Sequence, residues 1–213
     1  MVVQGHENTL PVSLDEMIYH AEMVGRAAER AMVVVDLPFP TNHLGIHSCV
    51  AAAGRILKET RCQAVKLEGG ADQADVIQAL VGAGIPVMAH VGLRPQSVHA
   101  MGGYKVQRDE ERLLEDAMAA QAAGAFAMVV ECVPVEVAQR VTEQLAIPTI
   151  GIGAGPHCDG QVLVLPDMLG ITQEFSPRFL RRYLNMGEQM NSAIQQYVKD
   201  VRSRDFPNAD EQY

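Results

Sequence analysis

The chain has 213 residues, 48% of them hydrophobic, and a formal net charge of −9. That suits one globular domain with a real core, expected to span residues 1–213. Excess acid without a basic cluster argues against nucleic acid as a partner, and no apolar run approaches the ~18 residues of a membrane span.

The first basic residue is Arg26, so the opening stretch lacks the charged start of a signal peptide. Cys49, Cys62, Cys132 and Cys158 are scattered without a C-x-x-C pair. They are expected to be reduced thiols of a cytoplasmic protein rather than zinc ligands.

In chain order, Ser13 and Glu16 form an S-x-x-E capping box that predicts a helix over "MIYHAEMVGRAAERA". Strands are predicted at "MVVVD" (32–36), "QAVKLE" (63–68), "PVMAHV" (86–91), "FAMVVE" (126–131), "PTIGIG" (148–153) and "QVLVLP" (161–166). Most are apolar throughout, which suits parallel strands covered on both faces. Helices are predicted over "DQADVIQALVGAG", "DEERLLEDAMAAQAAGA" and "PVEVAQRVTEQLA". The first two end on glycines suited to a left-handed helix terminus, and the third opens on a proline. A last helical region is expected over about 177–204, then a polar tail over 205–213.

This alternation implies a parallel α/β fold, either an open doubly wound sheet or a (β/α)8 barrel. Polar residues cluster at the strands' C-terminal ends, where both folds bind ligands. Asp36 ends the first strand, Lys66 and Glu68 the second, His90 the third and Glu131 the fourth. Four consecutive strands donating such groups favours the barrel. A closed barrel needs eight strands, and only six are readable.

Each residue has a bland reading beside a functional one. Asp36 is either a Mg²⁺ ligand or a turn carboxylate. Lys66 and Glu68 share a strand face, as a salt bridge or as an anion-binding lysine beside a metal carboxylate. His90 is a satisfied core histidine or a hydrogen-bond donor to substrate. "GIGAG" (151–155) is a tight turn or a phosphate cradle. Cys132 is a core thiol or a nucleophile. Glu131 follows three apolar residues. A carboxylate desolvated in such surroundings is a better base near neutral pH, suited to taking a proton beside a metal-held carbonyl.

Taken together and in order, "VQGHENTLPV", "DLPF", "VKLEGG", "HVGLRPQSV", "GGYKVQ", "ECVPVEVA", "PTIGIGAGPHCDGQVLV" and "DMLGI" resemble the ketopantoate hydroxymethyltransferases. The resemblance covers nearly the whole chain. It implies a (β/α)8 TIM barrel of the phosphoenolpyruvate/pyruvate type, Mg²⁺, and 5,10-methylenetetrahydrofolate as one-carbon donor in pantothenate biosynthesis. The acceptor is 3-methyl-2-oxobutanoate and the product is 2-dehydropantoate. It also implies assembly into a homodecamer. Asp36 falls on a metal and substrate aspartate, Glu68 on a metal glutamate and Lys66 on the lysine that holds the keto acid. Glu131 falls on the proton acceptor, and His90 on an active-site histidine.

Family members carry about fifty residues before the point matching Met1. These supply two strands and a "GDS" motif with a second metal aspartate and a substrate serine, which have no counterpart here. The first two barrel strands are therefore expected to be missing, and the chain to turn over poorly by itself. A remnant that only assembles, and another Mg²⁺-dependent 2-oxo acid enzyme such as a carbon–carbon lyase, are the alternative readings.

Overall fold

The capping box forms: the Ser13 hydroxyl accepts the Glu16 N–H, and the Glu16 carboxylate accepts the Ser13 N–H at 2.7 Å. It opens helix α1 (Leu14–Ala27) in a computed structural model that describes residues 1–173 and 176–213. Then come β1 (Val34–Asp36), α2 (Ile46–Glu59), β2 (Ala64–Glu68), α3 (Ala74–Gly82), β3 (Val87–Gly92) and α4 (Glu110–Ala122). β4 (Ala127–Glu131), α5 (Val135–Gln144), β5 (Thr149–Ile152) and β6 (Gly160–Gln161) follow.

Every strand pair is parallel, and the order is β1-β2-β3-β4-β5-β6. A doubly wound sheet reverses its order partway, whereas barrel strands stay in sequence. The fold is therefore part of a (β/α) barrel, a wall of six strands. Among the described residues, β1 and β6 each have a strand on one side only.

Alternation divides the wall into two faces. Val35, Val65, Leu67, Val87, Ala89, Val91, Met128 and Val130 project to one side and are buried there with Ala53, Ile56, Ile77, Leu80, Ala117 and Val141 from the helices. The other side carries Asp36, Lys66, Met88, Glu131, Ile150 and Ile152, which are partly buried, beside Ala64, Glu68, His90, Ala127 and Val129, which are buried. The strands are thus fully covered on the helix side and partly on the other, less completely than their apolar sequences suggest.

Three elements differ from expectation. Helix α2 had no reading in the sequence, because its N-cap is Gly45, which offers no side-chain cap. β6 spans two residues rather than 161–166, since Pro166 lies in the first turn of a short helix, α6 (Leu165–Met168). The last helix, α7 (Met186–Ser203), starts later than residue 177. Just before it and at its first residue, the Tyr183 and Met186 N–H groups donate to the Met168 and Leu169 carbonyls.

By their internal contacts the described residues form two compact units. One comprises residues 3–162 with Met1 and holds the sheet and α1–α5; the other comprises 163–213 with Val2 and holds α6 and α7. No helix among the described residues is long and apolar enough to cross a membrane.

Candidate active site

The register stacks the candidate residues in three rungs. Asp36 is level with Lys66, Glu68 with His90, and Gly92 with Glu131. Level neighbours in a parallel sheet point the same way, so all five side chains share the face away from the helices. The sequence expectation that they meet at one edge is met in space.

Lys66 does not pair with Glu68 as its two-residue spacing allowed. Its Nζ lies 2.9 Å from Asp36 Oδ1 and 3.3 Å from His90 Nδ1. An ammonium only donates, so Nδ1 accepts and the imidazole proton belongs on Nε2. Burial, and then the Lys66 charge, push the His90 pKa down, keeping the ring neutral. His90 Nε2 stands 3.2 Å from Glu131 Oε2, close enough for attraction but out of line for a hydrogen bond. The buried histidine thus keeps one N–H without an aligned partner beside Glu131.

Glu131 is less buried than its apolar strand suggests, with its side chain 17% exposed. Its backbone is held closely. The Glu131 carbonyl accepts the Leu93 N–H at 2.8 Å, and a Cβ on Gly92 (φ 94°) would collide with that carbonyl. The next residue, Cys132, is left-handed (φ 49°), an uncommon state for a side-chain-bearing residue. Its N–H donates to Ile152 and its carbonyl accepts from Gln107, each at 2.9 Å. Burial, then the Glu131 charge, push the Cys132 thiol up to about 11, which removes it as a nucleophile at neutral pH.

Glu68 is the deeply buried carboxylate, 5% exposed. Burial raises its pKa to about 7; Lys66 opposes this, and Asp36 adds to it. One partner stabilises its charge directly: the Gln96 backbone N–H donates to Glu68 Oε2 at 2.9 Å. Sequence reasoning missed Gln96, because it acts through a backbone group that every residue but proline carries. "GIGAG" behaves as a packed turn, its Gly155 carbonyl accepting the Gln161 side-chain amide at 2.9 Å.

Asp36 Oδ1 is buried, and its charge partner is the Lys66 ammonium 2.9 Å away. A buried carboxylate whose ionisation a neighbouring acid opposes, as Asp36 opposes that of Glu68, is what a divalent cation relieves. Mg²⁺ is commonly held by one or two carboxylates with water and substrate oxygens, so Asp36 and Glu68 fit it. No group of three or more His, Cys, Asp or Glu suited to a metal occurs among the described residues.

Comparison with known proteins identifies the family. A family model described as ketopantoate hydroxymethyltransferase matches residues 1–209. The 3-methyl-2-oxobutanoate hydroxymethyltransferase of Rhodopirellula baltica is 57% identical over 213 residues, covering 100% of this chain and 79% of that protein. The enzyme of the same name from Desulforapulum autotrophicum is 54% identical, covering 100% and 81%. Among solved structures, a phosphonopyruvate hydrolase complex with oxalate and Mg²⁺ superposes with TM-score 0.56 at 12% identity, covering 95% of this chain and 74% of that one. At that identity the likeness concerns the barrel fold alone. The chain belongs to the ketopantoate hydroxymethyltransferase family of transferases.

Proposed function

We propose that this chain moves a one-carbon unit from 5,10-methylenetetrahydrofolate to C3 of 3-methyl-2-oxobutanoate, giving 2-dehydropantoate on the route to pantothenate. The observation that carries the reading is the gathering of Asp36, Lys66, Glu68, His90 and Glu131 on one sheet face of a chain of this family.

Glu131 serves as the general base that takes the C3 proton. The resulting carbanion equivalent bonds to the methylene carbon as one of its two folate C–N bonds breaks; water then displaces the second nitrogen and leaves the hydroxyl, and the C3 proton and one from water end on the two folate nitrogens. Lys66 meets the keto acid's negative charge by a charge-assisted hydrogen bond. His90 donates its unaligned Nε2–H to a substrate oxygen, and its remaining lone pair, on Nδ1, is taken by Lys66 and so does not compete with Glu131 for protons. Asp36 and Glu68 would hold Mg²⁺, which when bound polarises the keto group and acidifies the neighbouring C–H. A homodecamer and a cytoplasmic location belong to the same reading by family.

The test is solvent-deuterium exchange into C3, followed by product formation once methylenetetrahydrofolate is added, both with Mg²⁺. Exchange without folate, and product only with it, is the expected pattern. Keto-acid cleavage indifferent to folate would replace the reading with a carbon–carbon lyase. A chain that assembles with neither activity would be a non-catalytic remnant.

A further inference from the structure

Arg94 lies just past β3, outside the five residues discussed above, yet its side chain is only 12% exposed. Its guanidinium forks between two acids, reaching Asp72 Oδ2 at 2.7 Å and Asp116 Oδ2 at 3.2 Å. The second oxygen of each acid is also used. Asp72 Oδ1 accepts the Gly70 N–H, and Asp116 Oδ1 the Ala71 N–H, each at 3.0 Å. A Cβ on Gly70 would run into Asp116, so α4 and this loop approach closely. Arg112 stands 3.9 Å from Asp116 and is largely exposed, so it does not duplicate the fork.

Arg94 therefore ties three segments together: the loop after β2, the loop after β3, and α4. Glu68 ends β2 immediately before the first loop. Gln96, two residues from Arg94, donates its backbone N–H to Glu68 Oε2 at 2.9 Å and its side-chain amide to Leu37 O at 2.8 Å. A largely buried ion pair is weak evidence of stabilisation, because desolvation offsets the attraction. What a planar fork offers is direction.

We propose that Arg94 is a positioning residue: clamped by Asp72 and Asp116, it holds the Gln96 N–H against Glu68 and so aims the Glu68 carboxylate across the polar face. This deepens the functional reading above, and its catalytic consequence rests on that reading.

Amide hydrogen exchange, read residue by residue, tests it. In Arg94→Met, the Gln96, Gly70 and Ala71 amides exchange about tenfold faster, the loss of roughly one net hydrogen bond, while Val130 in the sheet is unchanged. Arg94→Lys restores only part of the protection, because a point charge does not fork. Arg55→Met is the control; Arg55 also forks, between Asp15 and Glu59, on exposed helices. It leaves Gln96 as it was. Unchanged Gln96 exchange in folded Arg94→Met, or a rise shared by the whole sheet, overturns the proposal. If Arg94→Met does not fold, Asp72→Asn on the more exposed arm gives a smaller rise at the same amides, and no rise there overturns the proposal equally. Mg²⁺ added to the unaltered chain tests the cation site separately: indifference of the Glu68 signals refutes that site and not the clamp.

Discussion

The two faces of the sheet are made by alternate residues of the same strands, and they do opposite things. Lys66 stands between Val65 and Leu67, and His90 between Ala89 and Val91; each of those four apolar neighbours is fully buried. A buried Val or Leu contributes roughly 1.5–3 kcal/mol. On the polar face, Glu68 is driven towards its neutral form, and the buried His90 Nε2 lacks an aligned partner among the described residues. Such groups cost stability. The helix-covered face offsets that cost, residue by residue, within one β-strand. A strand here is therefore two sequences interleaved, one specifying the fold and one the chemistry.

If that division holds, variants on the two faces should fail in different ways. Glu131→Gln should give the largest effect, slowing C3 deuterium exchange by about 10²–10⁴-fold with the melting temperature little changed. Exchange at the original rate would mean that another group is the base. Leu80→Ala is the opposite case. Leu80 is fully buried in the core beneath α3, and the change should cost about 2–5 kcal/mol of stability, read from denaturant unfolding. Below its melting point C3 exchange should persist; a selective loss of exchange would show that the faces are not separable. Lys66→Met should cost roughly 1.5–3 kcal/mol in keto-acid binding, seen as a raised KM for the keto acid more than for folate. Equal losses for both would mark general damage to the rung it shares with Asp36.

The smallest effect concerns pH. Glu68 has a folded pKa of about 7 against an ordinary value of 4.5, so the folded chain holds this proton more tightly than the unfolded one. Its contribution to stability is full below the ordinary carboxylate range and is lost as pH rises towards 7. Glu68→Gln should flatten that decline in metal-free buffer; an unaltered slope would show that Glu68 is not its source.

Much of the site was legible in the sequence because strand ends are short, apolar and regular. Asp36, Lys66, Glu68, His90 and Glu131 each interrupt or close such a run, and sequential parallel pairing then brings them to one face. Their pairings were not legible. Lys66 turns to Asp36 across the sheet rather than to Glu68 along its own strand, which depends on register. Arg94, Asp72 and Asp116 are 22 residues or more apart, and nothing local marks them as partners. Glu131 drew attention as the buried acid, yet Glu68 is the more buried, because the loop carrying Gln96 covers it. Helix α2 was missed because Gly45 gives no start signal.

Glu68 also changes what binding a cation would mean here. Without a cation, burial drives this carboxylate towards its protonated form. On the proposed reading, a divalent ion settling against it would send that proton into the medium, as in an ion exchanger. Heats of Mg²⁺ binding should then vary with the ionisation enthalpy of the buffer, and apparent affinity should fall with acidification below about 7. On that reading hydrogen ion and metal compete for a single oxygen pair, and a modest acid shift empties the site without disturbing the fold.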